Sequence, residues 1–376
     1  MVALFVIGLA LLIGIFAYIL IPDASPNANR QNLELATEKP GFKVIVLKVR
    51  KNNDRLPAGF FHKMFLGKKD RYTYVPITSY HFEKGFITVK LFDEDSSGLT
   101  KSYSFADVVF SITGKQKTAG NDIEYRTIHG EKHLIPIERL KERILHHQLI
   151  SKTYWLGTDQ FGRDLLSRLL LGTRISLSVG FISVAISLVV GILLGSMAGF
   201  YRGKVDELIM WFINVVWSIP TLLLVIAITF ALGKGFWQIF VAVGLTMWVE
   251  VARVVRGQMM SVRESEYVEA GFALGYSNFR IMMRHILPNI LSPVIVISAA
   301  NFAAAILIEA GLSFLGIGVQ PPVPSWGNMI KEYYSYIVLD SAYLAIIPGI
   351  AIVILVLAFM TLGNSLRDAL DVRIES

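Results

Sequence analysis

The chain has 376 residues, of which 53% are hydrophobic and only 17% charged, with a mean hydropathy of +0.53; about a quarter charged residues is normal for a soluble protein, so an ordinary soluble fold is excluded. Cysteine is absent, which removes disulfides and thiolate metal sites. Residues 23 to 155 hold 22 Lys/Arg against 15 Asp/Glu and so carry all of the +7 formal charge, a balance that fits a solvated surface, anionic lipid or an acidic partner, but not nucleic acid for a domain tethered to a membrane.

Met1 to Ile21 contains no charged side chain. It lacks the basic start of a signal peptide, and "YILIPDAS" is a poor cleavage site, so residues 1–22 read as a retained first transmembrane helix. The missing cytoplasmic tail leaves room for a start upstream of Met1. Residues 23–155 then read as a small β-rich domain: "FKVIVLKV", "RYTYVPITSY", "KGFITVKLF" and "SYSFADVVFSI" are short, β-branched and aromatic, with turn residues between them. "IPIERLKERILHHQLI" reads as an amphipathic helix with Ile135, Ile137, Leu140, Ile144 and Leu145 on its apolar face. His146 and His147 are adjacent, so a helix points them to different sides, and no metal site is expected there. Residues 30 to 150 are long enough to fold alone, since domains of about 60 residues already do.

Five further apolar stretches follow, at about 175–201, 208–233, 235–257, 289–312 and 341–366; about 20 helical residues cross a bilayer. The third of them, from Gly235, reaches span length if Glu250 and Arg253 sit at the headgroups. The expected fold is an all-α membrane protein of six transmembrane helices with the β-rich domain inserted between spans one and two. Pro220, in "SIPTLLL", interrupts span three and predicts a kink that serves either packing or the transport path. Glu309 closes span five, where an ionisable residue is a functional candidate unless it lies in the solvated interface. Asp159, Arg163 and Asp164 before span two pair locally more simply than they make an acid–base site. Basic residues in short loops orient the chain: Arg202, Lys204, Arg253, Arg256, Arg263, Arg280, Arg284, Arg367 and Arg373 outnumber Lys234, Lys331, Arg163, Arg168 and Arg174, which places both termini in the cytoplasm and the β-rich domain outside.

Between spans four and five, "EYVEAGFALGYSNFRIMMRHILPN" (266–289) is polar and interrupted by glycines. Tyr267, Ala270 or Gly271, and Leu274 recur at helical spacing; Gly275 suits a left-handed helix end; Ser277 suits a cap. Phe279, Met282, Met283 and Ile286 lie near one face of a second helix, and Pro288 opens the next span. Helix, glycine turn, helix fits either an element presented to a partner's groove or a helix lying on the membrane.

"EAGFALG", nine residues and "HILP" resemble the EAA loop of ABC-transporter permeases, with Gly271 for the second alanine and His285 for the usual isoleucine. "LGTDQFGRDLLSRLLLGTRISL" (156–177) and "EAGLSFLGIGVQPPVPSWGNMI" (309–330) are similar to runs of the dipeptide/oligopeptide/nickel permease group, and "RDALDVR" resembles that group's ending, with Val372 in place of proline. The resemblance spans 156 to 373, more than half of the chain, and the 23–155 insertion departs from it. It implies the type I ABC importer permease fold, with 156–376 as the transmembrane core and 258–288 as a cytoplasmic coupling loop. Glu269, Ala270, Gly271, Gly275, His285, Leu287 and Pro288 would then meet an ATPase subunit. The implied partners are a second homologous permease, two ATPase subunits that carry the ATP, an extracytoplasmic solute-binding protein and membrane lipid, in the cell inner membrane. No Walker motif, GxSxG or HExxH is present, so this chain is read as a transporter subunit that is not itself an enzyme. Peptide is the expected cargo, with nickel, opines or antimicrobial peptides as alternatives. A membrane sensor would need an output domain, and only a short tail follows span six; a secondary transporter would need carboxylates deep in its spans.

Overall fold

The computed structural model describes residues 1–53, 59–92, 98–233 and 235–371; Lys234, Val372 and Arg373, used above for orientation and resemblance, lie outside the described residues. The chain divides into two compact units, one of Phe16–Leu171 and one of Met1–Ile15 with the residues from Gly172 onward.

Helix α1 (Val2–Leu20) opens the chain. In the first of these units, β1 (Phe42–Arg50) alternates its burial. Val44 and Val46 face Leu35 and Tyr154, while Leu47 and Val49 face the main core of Ile77, Ile87, Val89 and Ile123. This is the two-residue period of a strand buried on both faces. A seven-residue helix, α2 (Phe60–Leu66), precedes β2 (Tyr72–Glu83), β3 (Phe86–Leu91) and β4 (Thr100–Ser104). The stretch "SYSFADVVFSI" is a strand only as far as Ser104. There the Ser104 hydroxyl accepts the Asp107 N–H, and the chain turns into helix α3 (Phe105–Val109). Side-chain capping outcompetes β propensity at that point.

Three short strands follow, β5 (Lys117–Ala119), β6 (Asp122–Arg126) and β7 (Lys132–Pro136), then α4 (Ile137–Arg143). The predicted amphipathic helix from 135 to 150 is therefore too long at both ends. Ile135 belongs to β7, the helix continues only as a π-turn over Ile144–Gln148, and Leu149 begins β8 (Leu149–Tyr154). Leu140 and Ile144 do enter the core, whereas Leu145 is exposed. The two antiparallel sheets run β4-β3-β2-β1-β8 and β5-β6-β7. Pro76 in the interior strand β2 sits beside the irregularity between Ile77 and Ser79, where a missing ladder donor is tolerated.

The run "GTDQFGRD" belongs to this unit. Its backbone ties to the segment before β1 through Thr158 N–H to Glu38 O, Thr37 N–H to Asp159 O and Asn32 N–H to Phe161 O. Asp159 is fully buried. Its carboxylate accepts the N–H groups of Phe161 and Arg163, meets Arg163 Nε at 2.5 Å and stands 3.6 Å from Arg168 Nε. These charges pair locally, as expected, but inside the fold. Arg163 and Arg168 are consequently not loop charges for the orientation count.

The other unit is helical. It comprises α5 (Leu165–Tyr201) from Gly172 on, α6 (Gly203–Trp217), α7 (Thr221–Leu232), α8 (Phe236–Val262), α9 (Glu266–Ala273), α10 (Asn278–Arg280), α11 (Leu291–Phe314), α12 (Trp326–Tyr333) and α13 (Tyr343–Asp371). Among the described residues, five helices are apolar enough by length and composition to cross a membrane, or six if α6 and α7 form one span bent by 94°. Pro220 caps α7 at that break. Helix α8 runs on past Glu250 and Arg253 to Val262.

A packing device unread in the sequence joins α5 to α8. Gly191, Gly195 and Gly199 form one stripe, and a Cβ on Gly195 would lie 2.5 Å from Ala252 O. Small residues spaced by four let two membrane helices touch backbone to backbone.

Candidate functional site

The 263–290 segment starts at Ser265, whose extended backbone launches α9, and Glu266 and Glu269 occupy the first turn, where carboxylates complement the helix dipole. The end of α9 is a Schellman turn: Gly275 takes φ +74, its N–H donates to Phe272 O, and Tyr276 N–H donates to Gly271 O. Ser277 Oγ accepts from Arg280 N–H and starts α10. The helix continues as a π-turn over Ile281–Ile286 and a 3-10 turn over Leu287–Ile290 that has Pro288 in its first turn.

The inward face differs from the expected stripe. Val268 and Gly271 are buried, while Tyr267 and Leu274 are exposed, Leu274 to 70%. A Cβ on Gly271 would meet Ile281 Cγ1 and Tyr276 Cδ2 at 3.7 Å, so this position faces the chain's own core and not an outside surface. On the second half, Met282 and Ile286 join that core with Ile281 and Val268, but Phe279 and Met283 point outward. The cause is the π-turn, which adds a residue per turn and rotates the apolar stripe. The result is a helix pair seated on α8 and α11 through one core that presents Tyr267, Glu269, Ala270, Leu274 and Phe279 outward.

His285 and the residues after it anchor the base. Tyr276 and His285 rings lie 5.5 Å apart, and Asn289 Nδ2 donates to both His285 O and Tyr267 Oη, at 2.7 and 2.9 Å. Leu287 packs against the core and Pro288 is exposed.

Glu309 is not solvated at an interface. It is fully buried, and Ser313 Oγ donates to its Oε1 at 2.6 Å. Ser313 Oγ also takes the Val319 N–H and lies 3.4 Å from Ser325 Oγ, so the 316–328 segment folds over the carboxylate. Pro220 and Glu309 are not brought together. Beside the break at Pro220 is a cavity of about 180 Å³ lined by Ile219, Thr221, Thr246, Glu250 and Asn301, among others, without Glu309. Glu250 and Asn301 were missed as lining residues. A polar residue deep inside an apolar run was the available signal.

A bundle of apolar helices, one of them broken beside a polar cavity, with an outward-facing amphipathic pair at one end, has the build of a membrane transport subunit. Residues 191–376 match the family described as binding-protein-dependent transport system inner membrane component. The chain is 41% identical over 226 residues to the glutathione transport system permease protein GsiD of Pectobacterium atrosepticum, covering 60% of this chain and 75% of that one. It is 40% identical to the dipeptide transport system permease protein DppC of Alkalihalophilus pseudofirmus, covering 60% and 74%. In three dimensions it is similar to a chain of the MetNI methionine ABC transporter in an inward-facing conformation, with 20% identity and a TM-score of 0.46 over 54% of this chain and 97% of that one. The chain belongs to the binding-protein-dependent transport family and is an ABC-transporter permease of its peptide-importer branch.

Proposed function

We propose that this chain forms half of the translocation path of an ATP-driven importer of the type I architecture that brings small peptides across the inner membrane. A second homologous permease supplies the other half, two ATPase subunits dock beneath, and an extracytoplasmic binding protein delivers the cargo. The observation that carries the reading is the helix pair of α9 and α10. It is rigidly seated on the spans by Val268, Ile281, Met282 and Ile286, yet leaves Tyr267, Ala270, Leu274 and Phe279 without cover. Apolar side chains held out on a rigid base are what a helix-in-groove contact requires, and a rigid base transmits the partner's movement to α8 and α11. Glu269 makes no side-chain bond among the described residues and is free to pair with the ATPase. Relatives at about 40% identity that are named for dipeptides, oligopeptides and glutathione support peptide as cargo.

With the termini cytoplasmic, the 23–155 domain is extracytoplasmic. Single cysteines at positions 60 and 120 are then labelled in intact spheroplasts by an impermeant thiol reagent, and one at 278 only after lysis. Reconstitution with its ATPase, second permease and binding protein tests the whole reading: binding-protein-dependent uptake of Ala-Ala driven by ATP is expected. Labelling of position 278 from outside, or ATP turnover without peptide uptake, would refute it.

A further inference from the structure

Three helices bring polar groups to one cavity. Glu250 lies past the middle of α8 counted from Phe236, Asn301 lies near the middle of α11 counted back from Phe314, and Thr221 begins α7, which ends at Leu232. At about 1.5 Å of rise per residue, each stands roughly 17–21 Å along its own helix from the end remote from the 258–288 loop. All three line the cavity of about 180 Å³, several times the roughly 30 Å³ that one water takes up.

None of the polar groups is there to satisfy another. Arg253, one turn beyond Glu250, turns away: its guanidinium donates to Asn214 Oδ1 at 2.9 Å and lies over the Trp217 ring. Glu250 therefore has no ion pair among the described residues. Asn301 is 2% exposed, and its Nδ2 has no hydrogen-bond partner among the described residues. The first N–H groups of α7 are released by the break at Pro220, where among the described residues only the bond from Leu224 N–H back to Pro220 O is made. Carrying such groups inside a membrane is costly, and the cavity collects them at one place.

We infer that this cavity is a polar station for a peptide in transit, in which Glu250 takes the protonated amino end while Asn301 and the start of α7 donate to the peptide's carbonyl oxygens. One carboxylate set against amide and backbone donors matches the two ends of a peptide unit. It does not match a nickel ion, which favours imidazole, nor an anion, which Glu250 would repel. The station explains why the third span is broken beside this cavity: the bend turns the positive end of α7 toward the path. This rests on the import reading above.

The test uses the reconstituted complex, with Ala-Ala as probe and peptide imported per ATP hydrolysed as the readout. Glu250→Gln keeps shape and removes charge, and should lower that ratio at least tenfold. Glu250→Asp should restore a substantial part of it, and Asn301→Ala should lower it several-fold. A ratio for Glu250→Gln within twofold of wild type overturns the inference. So does loss of the second permease on purification of Glu250→Gln, which would make Glu250 an inter-subunit ion-pair partner. A wild-type complex that turns over ATP but imports no Ala-Ala would instead fail the peptide reading, and this inference with it.

Discussion

Gly271 near the end of α9 is buried, whereas Leu274, which caps that helix, is exposed, and this separates folding from docking. A methyl added at Gly271 finds Ile281 Cγ1 and Tyr276 Cδ2 at 3.7 Å and Ile281 Cδ1 at 3.8 Å, ordinary contact distances. Alanine is about 1 kcal/mol better than glycine inside a helix, so Gly271→Ala should stabilise the permease by about 0.5–1 kcal/mol. Leucine sends three more carbons toward Ile281, which is fully buried, and overpacking of that kind costs about 1–3 kcal/mol. That cost falls on the permease itself and should lower its melting temperature. Leu274 is 70% exposed, so Leu274→Ala should leave the permease within about 0.5 kcal/mol of wild type. If Leu274 fills a groove on the ATPase, truncation removes about 2 kcal/mol of buried apolar area, roughly a thirtyfold loss of affinity. The assay is titration of immobilised permease with purified ATPase, beside thermal melts of each variant. Leu274→Ala binding within twofold of wild type would refute the docking face, and a lowered melting temperature for Gly271→Ala would refute the inward placement of Gly271.

Asp159→Ala removes the carboxylate shared by Arg163 and Arg168, which are 3% and 1% exposed; a loss of about 3–5 kcal/mol should appear as loss of cooperative melting or of membrane abundance, and wild-type melting would contradict the buried pairing. Burial, with the Asp164 carboxylate adding to it, pushes the Tyr154 phenol up to about 12 from an unfolded value near 10. The neutral phenol therefore stabilises the fold fully below pH 10, and that contribution, about 2–3 kcal/mol, is lost as pH rises from 10 through 12. Tyr154→Phe should lack this part of the alkaline decline, and identical pH–melting curves would disprove it. An excised fragment ending at 150 removes Ser151 to Tyr154, most of the β8 strand that pairs with β1; it should show weaker cooperativity by circular dichroism than a fragment of 22–164, which keeps β8 and the Asp159 loop, and equal melts would refute that boundary.

The apolar stretches, the strands from Phe42 to Leu91, the left-handed turn at Gly275 and the cap at Ser277 were legible because each depends on local chemistry. Hydrocarbon length, two-residue alternation, a missing Cβ and a nearby hydroxyl all act within a few residues of chain. What the tertiary structure alone decided is which way side chains face and what covers them. Val268 rather than Tyr267 points inward because the core of α8 and α11 lies on that side. Glu309 is dry because residues 316–328, distant from its own helical turn, fold over it. Glu250 and Asn301, far apart in the chain, share one cavity because α8 and α11 pack together. Burial is a sum over neighbours brought in from far along the chain, and periodicity in one segment carries no record of them.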